Sequence, residues 1–276
     1  MALVPFPQPG QQQPAPGDDP DWDDDESTGA AGKMSFLEHL DELRRRIIYS
    51  VVAIGIGFGI AFFFIQQLFD FIMKPMAAAL PKGQTLVFTE PTEAFTLYIQ
   101  IAAIAGLLLA TPVVMAQVWL FISPGLYTHE KKAAVPFVVL SSIFFLLGAA
   151  FSHYVVFPLT WKFFVSFNSP YLQFMPRIEP AFGMWMKMLL AFGLVFQMPT
   201  IVLFLAKLGL ITASFMWRQF KYAILVIFVV AAVITPSGDM FTQTAMATPM
   251  IGLYLLSIAL AWVFGKKRQP EIESPE

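Results

Sequence analysis

The chain has 276 residues, of which 57% are hydrophobic and only 13% carry a formal charge. A soluble domain carries about 25% charged residues, so this composition excludes a water-soluble globular protein and indicates a polytopic membrane protein. Cysteine is absent, which excludes disulfides, thiolate metal sites and a cysteine nucleophile.

The first 34 residues differ in composition from the rest of the chain. They are rich in proline and hold seven acidic residues between Asp18 and Glu26, and the first basic residue is Lys33. Such a segment cannot bury enough apolar area to offset its ordering entropy, so we predict a disordered extension. It also lacks the basic amino end of a signal or transit peptide. The predicted domains are this extension (1–34), a transmembrane domain (35–264) and a tail (265–276).

The transmembrane domain opens with residues 35–46, SFLEHLDELRRR. Ser35 and Glu38 have the spacing of a capping box at a helix amino end. The apolar residues fall on one stripe, and acidic residues precede basic ones, as the helix dipole favours. The pattern predicts an amphipathic helix that leads directly into the first membrane span.

Hydropathy predicts an all-α membrane protein with six transmembrane helices. The first four spans cover residues 47–65, 94–128, 133–157 and 181–206. The fifth lies between Lys221 and the tight turn at residues 236–238, and the sixth covers 240–264. Residues 66–93, which contain Pro75, and residues 158–180 are predicted to be long loops. We expect the last two helices to be short, because only 17 uncharged residues separate Lys221 from Asp239 and Pro249 interrupts the final span. A re-entrant hairpin over 222–262 is the alternative.

The distribution of Lys and Arg predicts the orientation in the membrane. One side of the predicted topology holds twelve of the 17 basic residues and the other side four, with Lys187 inside a span. By the positive-inside rule, both termini are cytoplasmic in a multi-pass protein of the cytoplasmic membrane.

Enzymatic chemistry finds little support in the sequence. Neither a GxxxxGK[ST] nucleotide loop nor an HExxH or GxSxG motif occurs. Gly238 and Asp239 resemble half of an intramembrane aspartyl protease motif, but a second intramembrane aspartate is missing. We therefore expect no enzyme, no cofactor and no metal. Gln197, near the middle of the fourth span, is either a contact between helices or part of a hydrophilic path.

Four separated motifs occur in order along this topology. They are HLDELRRR before the first span, QVWLFISPGLYTHEKK between spans two and three, AFGLVFQMPT in span four and TPSGDMFTQ in the turn before the last span. Together they resemble TatC, the multi-spanning receptor subunit of the twin-arginine protein translocase. The resemblance covers residues 35–268, and four motifs on a matching topology make it specific.

The resemblance implies a receptor for the paired arginines of signal peptides on folded cargo. It also implies the single-span partners TatA and TatB, a homo-oligomeric receptor complex in the lipid bilayer, transport driven by the proton-motive force, and no nucleic acid. Carried over by motif, the residues that bind the signal peptide are Glu42, Glu130, Arg44, Phe121, Pro124 and Leu126. Gln197 and Gln243 correspond to intramembrane polar positions for partner docking, and Pro75 and Asp239 to structural positions in the outer loops.

The chemistry of the two carboxylates fits this role. Arginine presents a planar fork that matches a carboxylate bidentately, whereas lysine is a point charge, so a two-carboxylate site prefers an arginine pair. Exposed ion pairs contribute only about 0–1 kcal/mol each. We therefore expect the arginines to confer selection, while burial of the apolar segment of the peptide supplies most of the affinity.

One residue departs from the family pattern. Many TatC members have glutamate where this chain has Gln197, and an amide can hydrogen-bond but cannot carry a proton as a carboxylate does. The alternative function is a small-solute secondary transporter, for which we would expect broken helices in paired halves and a charged site at the membrane midplane. The sequence shows neither feature clearly.

Overall fold

The structure, a computed structural model, describes residues 36–81, 85–122, 134–171, 173–235 and 239–265. Ser35, the predicted extension, the connection that follows residue 122, and the tail after residue 265 lie outside these ranges. The chain divides into two compact units, Met1–Glu42 and Leu43–Glu276. The described part of the first unit is the beginning of the first helix.

The described residues form ten α-helices and one π-helical turn, and their only strand-like feature is an isolated bridge. The helices are α1 (Phe36–Phe63), α2 (Ile65–Ala79), α3 (Pro91–Ile122), α4 (Ala134–Phe151), α5 (Phe157–Val165), α6 (Ile178–Val195), α7 (Met198–Lys207), α8 (Ala213–Arg218), α9 (Phe220–Ile234) and α10 (Met240–Phe264). The π-helical turn, Ser152–Val156, joins α4 to α5.

Five helical segments are long and apolar enough to cross a membrane, and a sixth is shorter. The long ones are Leu37–Phe63, Pro91–Ile122, Val135–Val165, Ile178–Lys207 and Met240–Phe264, and the short one is Phe220–Ile234. The all-helical, six-helix prediction is confirmed. The predicted lead-in helix and the first span form one continuous helix, α1.

Two predicted loops contain helix. Residues 66–93 include α2, in which Leu68, Ile72 and Met76 follow helical spacing and contribute to the core. Pro75 lies inside α2 and is half-buried. The helix continues past it, because a proline near the end of a helix removes one hydrogen bond without stopping the helix. In the second predicted loop, α5 extends the third span to Val165.

The final helices correct a further prediction. α9 has 15 residues, about 22 Å of helix against a hydrocarbon core of about 30 Å, and is short as expected. α10 has 25 residues and continues through Pro249, so the expectation of a short last helix was wrong. Asp239 begins α10 by accepting the backbone N–H of Thr242 at 2.7 Å.

The fourth span forms the centre of the packing. α4 and α6 pack together, and half of the most apolar stretch of Ile178–Lys207 is buried. The largest fully buried side chains are Phe157, Phe182 and Phe192. In contrast, only 11% of the corresponding stretch of α1 is buried, so α1 is the most peripheral of the long helices.

α1 is held against α3 by a contact between glycines. A Cβ atom on Gly57 would lie 2.5 Å from the carbonyl oxygen of Gly106, so the two backbones touch where any side chain would separate them. Close approach of this kind is a usual means of association between membrane helices. The contact continues through a cluster of small side chains, Ala61, Ala102 and Ala105.

Replacing Gly57 should loosen α1. We expect Gly57→Ala to cost about 1–3 kcal/mol, because the added methyl group collides with backbone that cannot move aside. The midpoint of thermal unfolding in detergent should fall by several degrees. Gly55→Ala is the matched control, since a Cβ atom there meets nothing within 4 Å. Equal midpoints for the two variants would contradict the assigned contact.

Candidate functional site

One end of the bundle, here named the basic end, carries four basic residues: Arg44, Arg45, Lys207 and Arg218. At this end the Nη1 of Arg46 donates a hydrogen bond to Oε1 of Gln117 at 3.2 Å. The bond joins the start of the membrane-spanning part of α1 to the last turns of α3. Arg44 and Arg45 are exposed, and Arg46 is half-buried.

The predicted signal-peptide residues fall partly within the described chain. Glu42 lies in the second turn of α1, at the end of the first unit, and is half-buried. Phe121 is half-buried in the last turn of α3, one turn beyond Gln117. Pro124, Leu126 and Glu130 lie outside the described residues.

Below the basic end, a polar network joins three spans. The indole Nε1 of Trp119 on α3 donates to the hydroxyl of Ser141 on α4 at 2.7 Å. Nε2 of Gln197 donates to the backbone carbonyl of the same Ser141 at 2.8 Å. Gln197 is 8% exposed and lies at the break between α6 and α7. Of the two interpretations left open by the sequence, the described contacts favour an interhelical bond.

An aromatic cluster connects this network to the basic end. Trp119 stacks on Phe137 with ring centroids 5.0 Å apart, and Phe204 meets Trp119 edge-on at 4.9 Å. The ammonium of Lys207 lies 5.4 Å from the centroid of Phe137. Aromatic pairs and a cation over a ring each add specific attraction to apolar burial. The start of α4 is thereby fixed between α3 and α7.

Gln243 and Asp239 both make contacts within the chain. Nε2 of Gln243, on α10, donates to the carbonyl of Phe228 on α9 at 2.9 Å. Asp239 also accepts the hydroxyl of Thr242, so its carboxylate binds two groups of the first turn of α10. Asp239 is thus the N-cap of α10.

At the end opposite the basic end, called the loop end, an ion pair joins two connections. Glu93 at the start of α3 pairs with Arg177, which precedes α6, and also accepts the backbone N–H and the hydroxyl of Thr89. The Glu93 side chain is 2% exposed and that of Arg177 45%. The hydrogen bond and charge of Glu93 raise the pKa of Arg177 above its ordinary value, so the guanidinium stays charged.

Main-chain hydrogen bonds support the same pair. The N–H of Val87 donates to the carbonyl of Pro176 at 3.1 Å, and the N–H of Ile178 donates to the carbonyl of Val87 at 2.9 Å. The two connections at the loop end are therefore joined by backbone as well as by charge.

Comparison with known proteins identifies the family. The family model described as Sec-independent protein translocase protein (TatC) matches residues 38–249. The chain belongs to the TatC family. The TatC protein of Desulforapulum autotrophicum is 45% identical over 241 residues, covering 87% of this chain and 89% of that protein. The TatC protein of Koribacter versatilis is 44% identical over 249 residues, with 88% and 91% covered.

Solved TatC structures share the fold. A crystal structure of the twin arginine translocase receptor TatC superimposes with a TM-score of 0.69 at 37% identity, covering 81% of this chain and 98% of the solved one. A second structure, of the same receptor in DDM, gives a TM-score of 0.70, with 83% and 100% covered. The chain is a TatC-type component of the Sec-independent translocase, and the alternative of a small-solute transporter finds no support in these comparisons.

The sequence analysis missed two groups of interacting residues. Trp119 and Ser141 looked like ordinary apolar-span residues, and nothing in the sequence pairs an indole with a particular serine. Arg177 was only one of the four basic residues counted on one side of the predicted topology, and Glu93 was only the last residue of the predicted loop 66–93. The two residues have opposite charges and lie at the amino ends of the second and fourth spans, which run in the same direction. This pattern could have predicted an ion pair between them.

Removing Arg177 should weaken the loop end. In Arg177→Met, Glu93 keeps its charge in an enclosed position but loses its cationic partner. We expect a lower midpoint of thermal unfolding than for Lys162→Met, which removes an exposed cation with the same substitution. Equal midpoints would show that the ion pair adds nothing beyond its main-chain neighbours.

The polar network can be tested by a double-mutant cycle. Trp119→Phe and Gln197→Leu should each lower the free energy of unfolding by about 1 kcal/mol, because each removes one bond to Ser141 within the membrane. The double variant should lose less than the sum, since both bonds act through the same residue. Strict additivity in thermal unfolding would contradict coupling through Ser141.

Proposed function

We propose that this TatC-family chain is the receptor subunit that binds twin-arginine signal peptides at the cytoplasmic face. Glu42 and Glu130 receive the two arginines, with Arg44, Phe121, Pro124 and Leu126 shaping the surface around them. The observation that carries the proposal is the family match over residues 38–249, which includes both carboxylates. The Arg46–Gln117 bond supports it, because it ties the span after Glu42 to the helix that leads towards Glu130.

The orientation follows from the charges of the chain. The basic end faces the cytoplasm by the positive-inside rule, which makes both termini cytoplasmic in a multi-pass protein of the cytoplasmic membrane. In this orientation folded precursors reach the membrane from the side on which the predicted topology puts Glu42 and Glu130. The loop end then faces outward.

The chain acts with partners in this proposal. TatA and TatB dock on its membrane surface, several copies form the receptor complex, and the proton-motive force drives transport without catalysis by this subunit. Gln197 and Gln243 are the proposed polar positions for docking. Each Nε2 already donates one N–H within the chain, so a partner would bind the amide oxygen or the second N–H of either residue.

The decisive experiment compares crosslinking of two precursors to the full chain in membranes. One precursor carries Arg-Arg in its signal peptide, and the other carries Lys-Lys. We expect the Arg-Arg precursor to crosslink more strongly to the unchanged chain. Glu42→Gln combined with Glu130→Gln should reduce its crosslinking about tenfold, because two charge-assisted bonds are lost.

Asp41→Asn is the matched control, since it removes an exposed acid next to Glu42 on the same helix. The control should crosslink as the unchanged chain does. Equal crosslinking of both precursors to the unchanged chain, or normal binding by the double variant, would overturn the recognition model.

A further inference from the structure

A cavity of about 290 Å³ opens between α2, α3, α4 and α6. Ten of its thirteen lining residues are aliphatic, alanine or phenylalanine. Phe71, Leu146 and Tyr154 line it and are also exposed on the surface, so the cavity opens towards lipid. An apolar space of this kind does not hold ordered water.

Three of the lining residues, His153, Tyr154 and Trp185, carry a polar atom. His153 is 4% exposed, and its Nδ1 accepts the indole N–H of Trp185 at 3.1 Å. A neutral imidazole that accepts at Nδ1 carries its proton on Nε2. Among the described residues, nothing accepts a hydrogen bond from Nε2. Among the described side chains, this Nε2 is not one of the fully enclosed polar atoms that lack a partner, so it is open to the cavity. An acceptor on a molecule bound there would satisfy the donor where the apolar lining offers none.

The depth of His153 in the membrane narrows the choice of acceptors that could reach its Nε2. It lies 19 residues after Ala134, about 28 Å along a helix from the basic end, against a hydrocarbon core of about 30 Å. Nε2 therefore lies near the far boundary of the core, where the ester carbonyls of lipids begin. The lining residues from Leu146 to Tyr154 extend about 12 Å along the same helix towards the midplane.

The local backbone and aromatic contacts hold the ring in place. A π-helical turn begins at Ser152, and such turns are frequent at functional sites. Phe71 stacks on the imidazole with centroids 4.6 Å apart, and Trp185 meets it edge-on. With one nitrogen and one face fixed, the remaining N–H has a defined direction.

We propose that this cavity binds one acyl chain of a glycerophospholipid from the outer leaflet, with the ester carbonyl accepting the Nε2–H of His153. The cavity holds the part of the acyl chain nearest to the ester group. The exposed side chain of Tyr154 lies at the level of the lipid headgroups. The volume admits a chain segment but not a helix, so a partner helix would cover the opening rather than fill it. The lipid site is separate from the proposed signal-peptide surface.

Photolabelling of the purified full chain in detergent tests the site. The probe is a phosphatidylethanolamine with a diazirine in one acyl chain, and mass spectrometry locates the labelled peptides. We expect label around Ala150, which lines the cavity and is exposed. Ala150→Phe should reduce that label several-fold, whereas Ala103→Phe, at an exposed position outside the cavity, should leave it unchanged.

Competition identifies the hydrogen bond. Unlabelled ester-linked phosphatidylethanolamine should displace the probe about twofold to tenfold better than its ether-linked analogue, which lacks the carbonyl. His153→Leu should abolish this difference while leaving the fold intact, as checked by thermal unfolding. Equal competition by the two lipids in the unchanged chain would overturn the proposal. Stronger displacement by an isoprenoid quinone than by excess phospholipid would also overturn it.

Discussion

Helices that cross a bilayer gain little from hiding apolar side chains against one another, because lipid tails are equally apolar. Their association depends on close backbone approach and on a few hydrogen bonds. Gly57 against Gly106 is one such case, since a Cβ atom on Gly57 would lie 2.5 Å from the carbonyl oxygen of Gly106. Gly148 on α4 repeats the device against the carbonyl of Phe192 on α6. These two contacts set the close spacing of α1 against α3 and of α4 against α6.

The hydrogen bonds between spans supplement this packing and give it direction. Gln197 and Gln243 each donate to a backbone carbonyl of a neighbouring helix, so neither needs a particular side chain opposite it. Trp119 adds a bond between two side chains, because its indole N–H donates to the hydroxyl of Ser141. An amide at position 197 keeps this bond whatever the local pH, since it has no charge to gain or lose.

Much of this architecture could be predicted from sequence, because membrane spans follow from composition over about 20 residues. The range of α10 and the shortness of α9 are examples. The errors arose where one residue was given too much weight. Pro75 was treated as a helix breaker, although Leu68, Ile72 and Met76 had helical spacing, and Pro249 was treated as an interruption of α10. The partners of Gln197 and Glu93 depend on long-range packing, which local patterns do not encode.

The two ends of the bundle differ in how they are joined. At the loop end, the connections around Val87 and Arg177 share main-chain hydrogen bonds, which do not depend on any rotamer. Among the described residues of the basic end, the corresponding ties, such as Arg46 to Gln117, run through side chains that can swing away. The loop end is therefore the more rigid of the two ends. Displacements of the helices should therefore be larger at the basic end than at the loop end.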